Sequence, residues 1–174
     1  MRKIALILVL LLASCIIKPP VEVIEYHDLT HEDILKLIDE GQITGAQVSV
    51  NGVHLGDPLP KVLKAFGPPH YIDEYQELGI VNVRYDNKEI NKTALIFNVV
   101  NDSIQRITVK AGFAPHLINS SKMNYHLHNI TSTFGKPDKM YDSQFIRVYE
   151  YHPEGLEIFH RRKRMRGFAF VYPK

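Results

Sequence analysis

The stretch Asp57–Pro69, DPLPKVLKAFGPP, carries the strongest local signal for the fold. Asp57 suits the N-cap of a helix, and Pro58 suits its first position. Apolar side chains then recur at the i, i+3, i+4 and i+7 spacing of a buried helix face from Leu59 to Phe66. Gly67 suits the end of that helix, and the two prolines after it prevent its continuation. The stretch therefore predicts one amphipathic helix with a defined beginning and end.

Three runs typical of β-strands follow this helix. They are Ile80 to Tyr85, Ala94 to Val100 and Ser103 to Val109. Asn101-Asp102 separates the last two runs and suits a tight hairpin turn, because both residue types tolerate a left-handed backbone. We therefore expect an antiparallel meander after the helix.

The same order of elements recurs in the C-terminal half. A helical stripe from Met123 to Phe134 ends at Gly135, and three further strand-like runs follow it: Phe145 to Tyr151, Gly155 to His160 and Arg166 to Tyr172. The two Phe-Gly pairs are offset by 68 residues, and the similar strands ALIF and LEIF by 62. This parallel order predicts an internal duplication, unless helix stops and amphipathic strands recur by chance. The predicted fold class is α+β, with two tandem repeats of a helix followed by an antiparallel β-meander.

The N-terminus has the three parts of a bacterial lipoprotein signal. Arg2 and Lys3 form a cationic start, and Ile4 to Leu12 is an unbroken apolar run of nine residues. Such a run is too short to cross about 30 Å of hydrocarbon as a helix. Leu12-Ala13-Ser14-Cys15 then resembles the lipobox, whose cysteine takes up a diacylglyceryl group. We expect Cys15 to be the lipid attachment site, although a buried free thiol is the alternative, and two or three acyl chains anchor a protein durably.

These signals predict the domain organisation and the location of the chain. Residues 1–14 are the signal peptide, 15–29 the acylated cysteine and tether, 30–49 a short helical segment, 50–110 the first repeat, 111–121 a linker and 122–174 the second repeat. In the helical segment, Thr30 suits an N-cap and Gly41 the position after the helix. By resemblance to lipoprotein sorting in Gram-negative bacteria, the absence of Asp at position 16 favours the outer membrane, with the protein facing the periplasm.

One motif, taken with the lipobox, resembles the opening of the SmpA/BamE lipoprotein family: Gly52-x-x-Leu55-Gly56-Asp57-x-x-x-x-Val62-x-x-x-Phe66-Gly67-x-Pro69. The duplicated form is similar to the tandem fold of the β-lactamase inhibitor proteins. The resemblance implies a non-enzymatic protein, since one group helps to assemble outer-membrane β-barrels and the other covers an enzyme with its concave sheet.

Charge is distributed unevenly along the mature chain. Residues 16–105 hold 7 basic and 14 acidic side chains, whereas residues 106–174 hold 12 basic and 5 acidic ones. The sum is zero, which argues against nucleic acid as a partner, but the C-terminal part is a candidate anion-binding surface.

The candidate binding residues lie in that C-terminal part. Five basic residues cluster in one predicted hairpin: Arg161, Arg162, Lys163, Arg164 and Arg166. The cluster is either a solvated turn or a site for lipid phosphates, lipopolysaccharide or an acidic protein. Tyr149 and Tyr151 alternate along one strand, so they lie either in the core or on an exposed protein-binding face.

Nothing in the sequence demands catalysis or a cofactor. Nucleophile-elbow and phosphate-loop motifs are absent, and Asp73, Glu74 and Glu77 fit a solvated connection. His126 and His128 point apart on a helix and make a poor metal site. We therefore expect no enzyme and no bound cofactor or metal, but a membrane-anchored protein that binds another envelope protein. The alternative is binding of an anionic envelope glycolipid or polymer by the hairpin at 161–166.

Overall fold

The computed structural model describes residues 24–25, 31–87, 92–110, 113, 132, 134–143, 146–162 and 164–174. Helix α1 spans His31–Asp39, and helix α2 spans Leu59–Phe66. A short parallel pair, β1 at Ile24–Glu25 and β2 at Val48–Ser49, lies apart from the main sheet. Cys15, Thr30 and most of the helix predicted from 123 to 134 lie outside the described residues.

The main sheet has eight antiparallel strands in the order β3-β4-β5-β6-β10-β9-β8-β7. Their bounds are Tyr71–Tyr75 for β3, Ile80–Asn87 for β4, Lys92–Val100 for β5, Ser103–Lys110 for β6, Lys139–Ser143 for β7, Ile146–Tyr151 for β8, Leu156–Arg161 for β9 and Arg164–Val171 for β10. The six apolar strands confirm the runs predicted from alternating hydrophobic residues.

The predicted helix stop and hairpin turn are present with the backbone that they need. Gly41 has a φ of 67° and donates its N–H to the carbonyl of Ile38 directly after α1. Asn101 and Asp102 have φ values of 49° and 59°, which is the geometry of a tight turn that matches the twist of its strands. Local chemistry therefore decides these two positions.

Helix α2 begins one position later than the sequence predicted. Asp57 does not cap it, because its carboxylate accepts the backbone N–H of His54 at 2.8 Å and pairs with Lys61 at 2.8 Å. Pro58 takes the N-cap position instead, and the helix starts at Leu59. The carboxylate thus ties the loop before the helix to the first turn of the helix.

One face of the sheet, here called the core face, carries the hydrophobic core. A single row of paired residues crosses it from Val83 on β4 to Tyr151 on β8, through the fully buried rings Phe97 and Phe170. Phe66 of α2 packs 5.4 Å from the ring of Phe97. Burial of one such ring stabilises the fold by about 1.5–3 kcal/mol. The core face thus holds the helices against the sheet.

The prediction of two tandem helix-plus-meander repeats is wrong. The structure is mostly antiparallel sheet, and β6 pairs with β10 from Lys110 opposite Gly167 to Arg106 opposite Val171. This pairing joins all eight strands into one sheet. An unjoined edge at either strand would leave a row of backbone donors and acceptors without partners, so the fused sheet is more favourable.

Two strands of the main sheet, β3 and β7, were not predicted from the sequence, and neither was the short pair of β1 and β2. Asp73 and Glu74 belong to β3 and not to a loop connection, while Glu77 lies in the 3₁₀ turn after it. Strands β3 and β7 are sheet edges and are exposed along nearly their whole length. Because neither face of an exposed edge strand is deeply buried, the alternating apolar pattern is absent there.

Candidate functional site

The second face of the sheet, here called the open face, carries a polar row across all eight strands. Adjacent strands are paired in register along this row, so its members lie side by side on one surface. In order from β3 to β7 they are Tyr71, Arg84, Ile96, Thr108, Ala169, Glu157, Glu150 and Lys139. The open face is therefore the polar counterpart of the buried row described above.

A cavity of about 520 Å³ lies on the open face. Its basic lining residues come from β4, β6 and β9: Arg84, Arg106, Lys110 and Arg161. Aromatic rings from the two edge strands and from β9 also line it: Tyr75, Tyr141 and Phe159. Its carboxylate is Asp73 of β3. A cavity of this size, with apolar rings and a few charged groups, has the composition of a ligand-binding site.

Arg106 connects strands β6 and β9 on the open face. Its guanidinium group reaches from β6 across β10 to form an ion pair with Glu157 on β9, and it lies 5.0 Å from the ring centre of Phe159. Ala169 of β10 is fully buried between Thr108 and Glu157 in the register. The small side chain at 169 leaves room for Arg106 to cross.

Glu157 is buried beneath this contact, and burial raises the pKa of its carboxyl group above the usual 4.5, although the charge of Arg106 opposes the shift. A raised pKa in the folded state means that the folded state binds the proton more tightly than the unfolded state. The contribution of Glu157 to stability is therefore full below pH 4.5 and is lost as the pH rises toward the raised pKa.

Glu157→Gln should remove this pH dependence, because the amide cannot ionise. We expect the free energy of unfolding of the variant, minus that of the unsubstituted protein, to increase as the pH rises above 4.5, because only the unsubstituted protein loses stability from this group in that range. Urea unfolding between about pH 4 and 7 measures this difference. The exposed Glu77→Gln is the matched control for replacing a carboxylate by an amide outside the buried part of the sheet. A constant difference for Glu157→Gln would contradict the assignment.

A second ion pair lies at the β3 end of the cavity. Nε of Arg84 lies 3.6 Å from the carboxylate of Asp73, and the guanidinium carbon lies 4.6 Å from the ring centre of Tyr71. The charge of Arg84 also acts on Lys110: burial, chiefly, and this like charge lower the pKa of Lys110, while the charge of Asp86 opposes them. The basic groups of β4 and β6 are thus close enough to influence one another.

The structure describes only some of the basic residues predicted to form a binding site in the hairpin at 161–166. Arg161 and Arg162 are exposed at the turn between β9 and β10, and Arg166 is exposed on β10. Arg161 also lines the cavity, so the hairpin adjoins the open face. Lys163 and the side chain of Arg164 lie outside the described residues, as does the whole of the lipid attachment site.

Tyr149 and Tyr151 lie in the core and do not form an exposed binding face. They are 4% and 2% exposed, and the ring of Tyr151 lies 5.3 Å from that of Phe134. Burial raises the pKa of Tyr151 to about 12. The interpretation of these two tyrosines as possible binding residues is corrected, because they point to the core face while the cavity lies on the other side of the sheet.

Sequence reasoning missed three residues of the cavity, Arg84, Arg106 and Lys110. The sequence pattern indicates the positions of Arg106 and Lys110, since polar side chains at 106, 108 and 110 alternate with the buried Ile107 and Val109. This period of two places the polar side chains together on the face opposite the core. The sequence does not predict that Arg106 and Lys110 lie near Arg84, because this depends on how β4, β5 and β6 are paired.

In the described part of the chain, no group of three or more His, Cys, Asp or Glu residues is placed to hold a metal ion. His126 and His128 lie outside the described residues. None of the described helices is both long enough and apolar enough to span a membrane.

Comparison with protein-family models and with curated proteins found no match. Among solved structures, the chain is similar to the crystal structure of a DUF4309 family protein, YjgB, from Bacillus subtilis. The TM-score is 0.55 at 12% identity, over 80% of this chain and 94% of that one.

Two further solved structures give lower scores. A cysteine-rich secretory protein from Staphylococcus aureus matches with a TM-score of 0.45 at 12% identity, and an extracellular protein containing an SCP domain from Bacillus anthracis with 0.43 at 11%. Each match covers 68% of this chain and 44% of the other, so this chain spans less than half of those proteins.

The similarity in fold to YjgB, together with the fused eight-stranded sheet, overturns the resemblance to the SmpA/BamE lipoproteins and the β-lactamase inhibitor proteins. The motif from Gly52 to Pro69 describes a loop, a helix and a helix stop, which unrelated folds share. In fold, the chain is similar to a DUF4309 family protein.

Proposed function

We propose that this chain is a lipid-anchored, non-catalytic protein of the bacterial cell envelope that binds another envelope protein on its open face. The observation that carries the proposal is the cavity of about 520 Å³ lined by both arginines and aromatic rings. Tyr and Arg are enriched among the residues that dominate the binding energy of protein interfaces. The cavity is built on paired strands, so little conformational entropy is lost when a partner binds.

The anchor in this proposal is the lipidated Cys15, with residues 15–29 as the tether. The lipobox and the apolar run before it support an envelope location, and in a Gram-negative source the protein would face the periplasm from the outer membrane. A membrane-tethered binding protein meets its partner at a high effective concentration, so moderate affinity is enough.

The second candidate is binding of an anionic envelope glycolipid or polymer by the hairpin at 161–166. The exposure of Arg161, Arg162 and Arg166 favours it. Arg161 also lines the cavity, so the surfaces proposed for the protein partner and for the glycolipid or polymer adjoin each other. An experiment on either surface must therefore distinguish the two kinds of ligand.

Photo-crosslinking in native membranes tests the proposal. A benzoylphenylalanine at Tyr141, which lines the cavity, is expected to give a discrete protein adduct. The matched position is Tyr172, which is 42% exposed against 36% for Tyr141 and lies beyond β10, next to Gly56. We expect no such adduct there. Cys15→Ser should remove the chain from the membrane fraction and reduce the adduct.

Two outcomes would count against a protein partner on the open face. Equal adducts from Tyr141 and Tyr172 would show contact without a defined surface. Absence of any protein adduct would favour the glycolipid or polymer, if the unanchored Cys15→Ser chain binds that glycolipid or polymer and loses the binding when Arg161, Arg162, Lys163 and Arg164 are also changed to Ser.

A further inference from the structure

The open-face cavity has an excess of positive charge. Four of its lining residues are basic and one, Asp73, is acidic, which gives 4 − 1 = +3. Counting Glu157, which pairs with Arg106 beside the cavity, and Asp86, whose charge acts on Lys110, leaves 4 − 1 − 1 − 1 = +1. A concave surface with such an excess concentrates the field of its cations and attracts anionic groups.

Lys110 is compensated less directly than Arg84 and Arg106. Among the described residues, no carboxylate forms an ion pair with Lys110, whereas Arg106 is paired with Glu157 and Arg84 with Asp73. The ammonium group is partly withdrawn from water, and both the like charge of Arg84 and the opposite charge of Asp86 act on it. A partly desolvated, unpaired cation is unfavourable, so an anion that enters the cavity would be stabilised next to it.

Two hydrogen-bond donors in the same cavity also lack acceptors. Nε of Arg84 and Nε of Arg106 are buried, and neither has a hydrogen-bond partner within the described parts of the chain. Buried donors are satisfied in the great majority of protein structures. Each guanidinium group therefore gains a hydrogen bond if it turns toward an acceptor in the cavity, and carboxylate oxygens match its geometry well.

The aromatic rings decide which anion fits. Tyr75, Tyr141 and Phe159 offer apolar contact beside the cations, and Asn98 with its partner Asn82, 2.6 Å away, offers amide groups. A polyphosphate would use none of the rings. A peptide with both acidic and aromatic or aliphatic side chains uses the cations, the rings and the amides together.

We propose that the open-face cavity binds an acidic segment of a partner protein, with Lys110 and Arg84 receiving one of its carboxylates. This inference rests on the proposed function and specifies what the open face recognises. It also gives a role to the positive charge of residues 106–174, because Arg106, Lys110 and Arg161 all come from that part of the chain.

Binding of a labelled peptide of alternating Glu and Tyr to the full chain in detergent, followed by fluorescence anisotropy, tests the inference. Lys110→Gln is expected to weaken binding about tenfold, because it removes a hydrogen bond between two charged groups. The matched control, Lys64→Gln, removes the same charge from an exposed position of helix α2 and should change affinity less than twofold. Binding should also weaken as salt rises.

Four results would overturn the inference. The first two are equal losses of affinity in Lys110→Gln and Lys64→Gln, and equal affinity for a peptide with Gln in place of Glu. The other two are complete displacement of the peptide by polyphosphate of equal charge, and self-association of the chain in the absence of peptide that Lys110→Gln abolishes. Circular dichroism on each variant shows that folding is unchanged. If the adduct at Tyr141 persists in Lys110→Gln and at high salt, the open face still binds a protein, and only the acidic segment is wrong.

Discussion

Phe97→Ala is expected to lower the free energy of unfolding by about 3–5 kcal/mol, which is a large part of the stability of an ordinary domain. Phe97 is fully buried at the centre of the core face. Its ring lies 5.4 Å from that of Phe66 and 6.2 Å from that of Tyr85, so it joins helix α2 to strands β4 and β5. Truncation would leave a cavity that two strands and a helix cannot close without moving.

Denaturant unfolding followed by circular dichroism measures this loss. The control is Leu78→Ala, because Leu78 is 67% exposed and its truncation should change stability by less than about 0.5 kcal/mol. Similar losses for both variants would mean that Phe97 does not hold helix and sheet together. The neighbours of Phe97 along β5, Ile96 and Asn98, line the cavity, so loss of this ring should also disturb the open face.

Gly155→Ala is the second substitution for which we expect a large loss. Gly155 has a φ of 62°, and a Cβ there would lie 2.5 Å from the carbonyl oxygen of Val171. The carbonyl of Gly155 itself accepts the N–H of Val171 at 2.9 Å and lies against Gly45. The left-handed backbone costs alanine about 1–2 kcal/mol. Overpacking against a backbone that cannot move adds about 1–3 kcal/mol.

Gly41→Ala separates the two contributions. Gly41 has a φ of 67°, close to that of Gly155, but nothing lies within 4 Å of a Cβ built there. It should therefore show the backbone cost alone, and the difference between the two variants gives the cost of the close approach. Thermal unfolding of both proteins checks this. Equal losses would show that the turn before β9 has room for a side chain.

The close approach at Gly155 and the crossing by Arg106 concern the same strand, β10. Gly45 and Gly155 bring the chain close to one end of β10, while Ala169 leaves room for the side chain of Arg106 on the open face. Gly167 is also restricted, since a Cβ there would lie 2.6 Å from the carbonyl of Val109 on β6. Small residues in β10 thus permit both the joining of the sheet and the shape of the cavity.

The local parts of the fold were readable from the sequence. The alternation of Ile107 and Val109 with polar residues predicts a strand, and Asn101-Asp102 predicts the turn before it. The helix stop at Gly67 was equally clear. Such signals are determined within a few residues, by backbone preferences and by the need to bury one face.

Only some residues of the candidate site could be predicted from the sequence. The polar residues of β6 could be placed on one face, but Arg84 lies on a strand that is two positions away in the sheet, and Tyr141 lies on an edge strand without a periodic pattern. The sequence also left open whether Tyr149 and Tyr151 face the core. Each of these points depends on which strands pair and on which side the helices pack.

The six apolar strands, the hairpin turn and the helix that stops at Gly67 were all predictable from the sequence and are confirmed, while the lipobox at Cys15 stays a prediction outside the described residues. The joining of all eight strands through β6 and β10, and the shared cavity of Arg84, Arg106 and Lys110 on the open face, became visible only in the folded chain. Turns and amphipathic periods are satisfied within a segment. Strand partners are chosen instead by burial and hydrogen bonding summed over residues far apart in the chain.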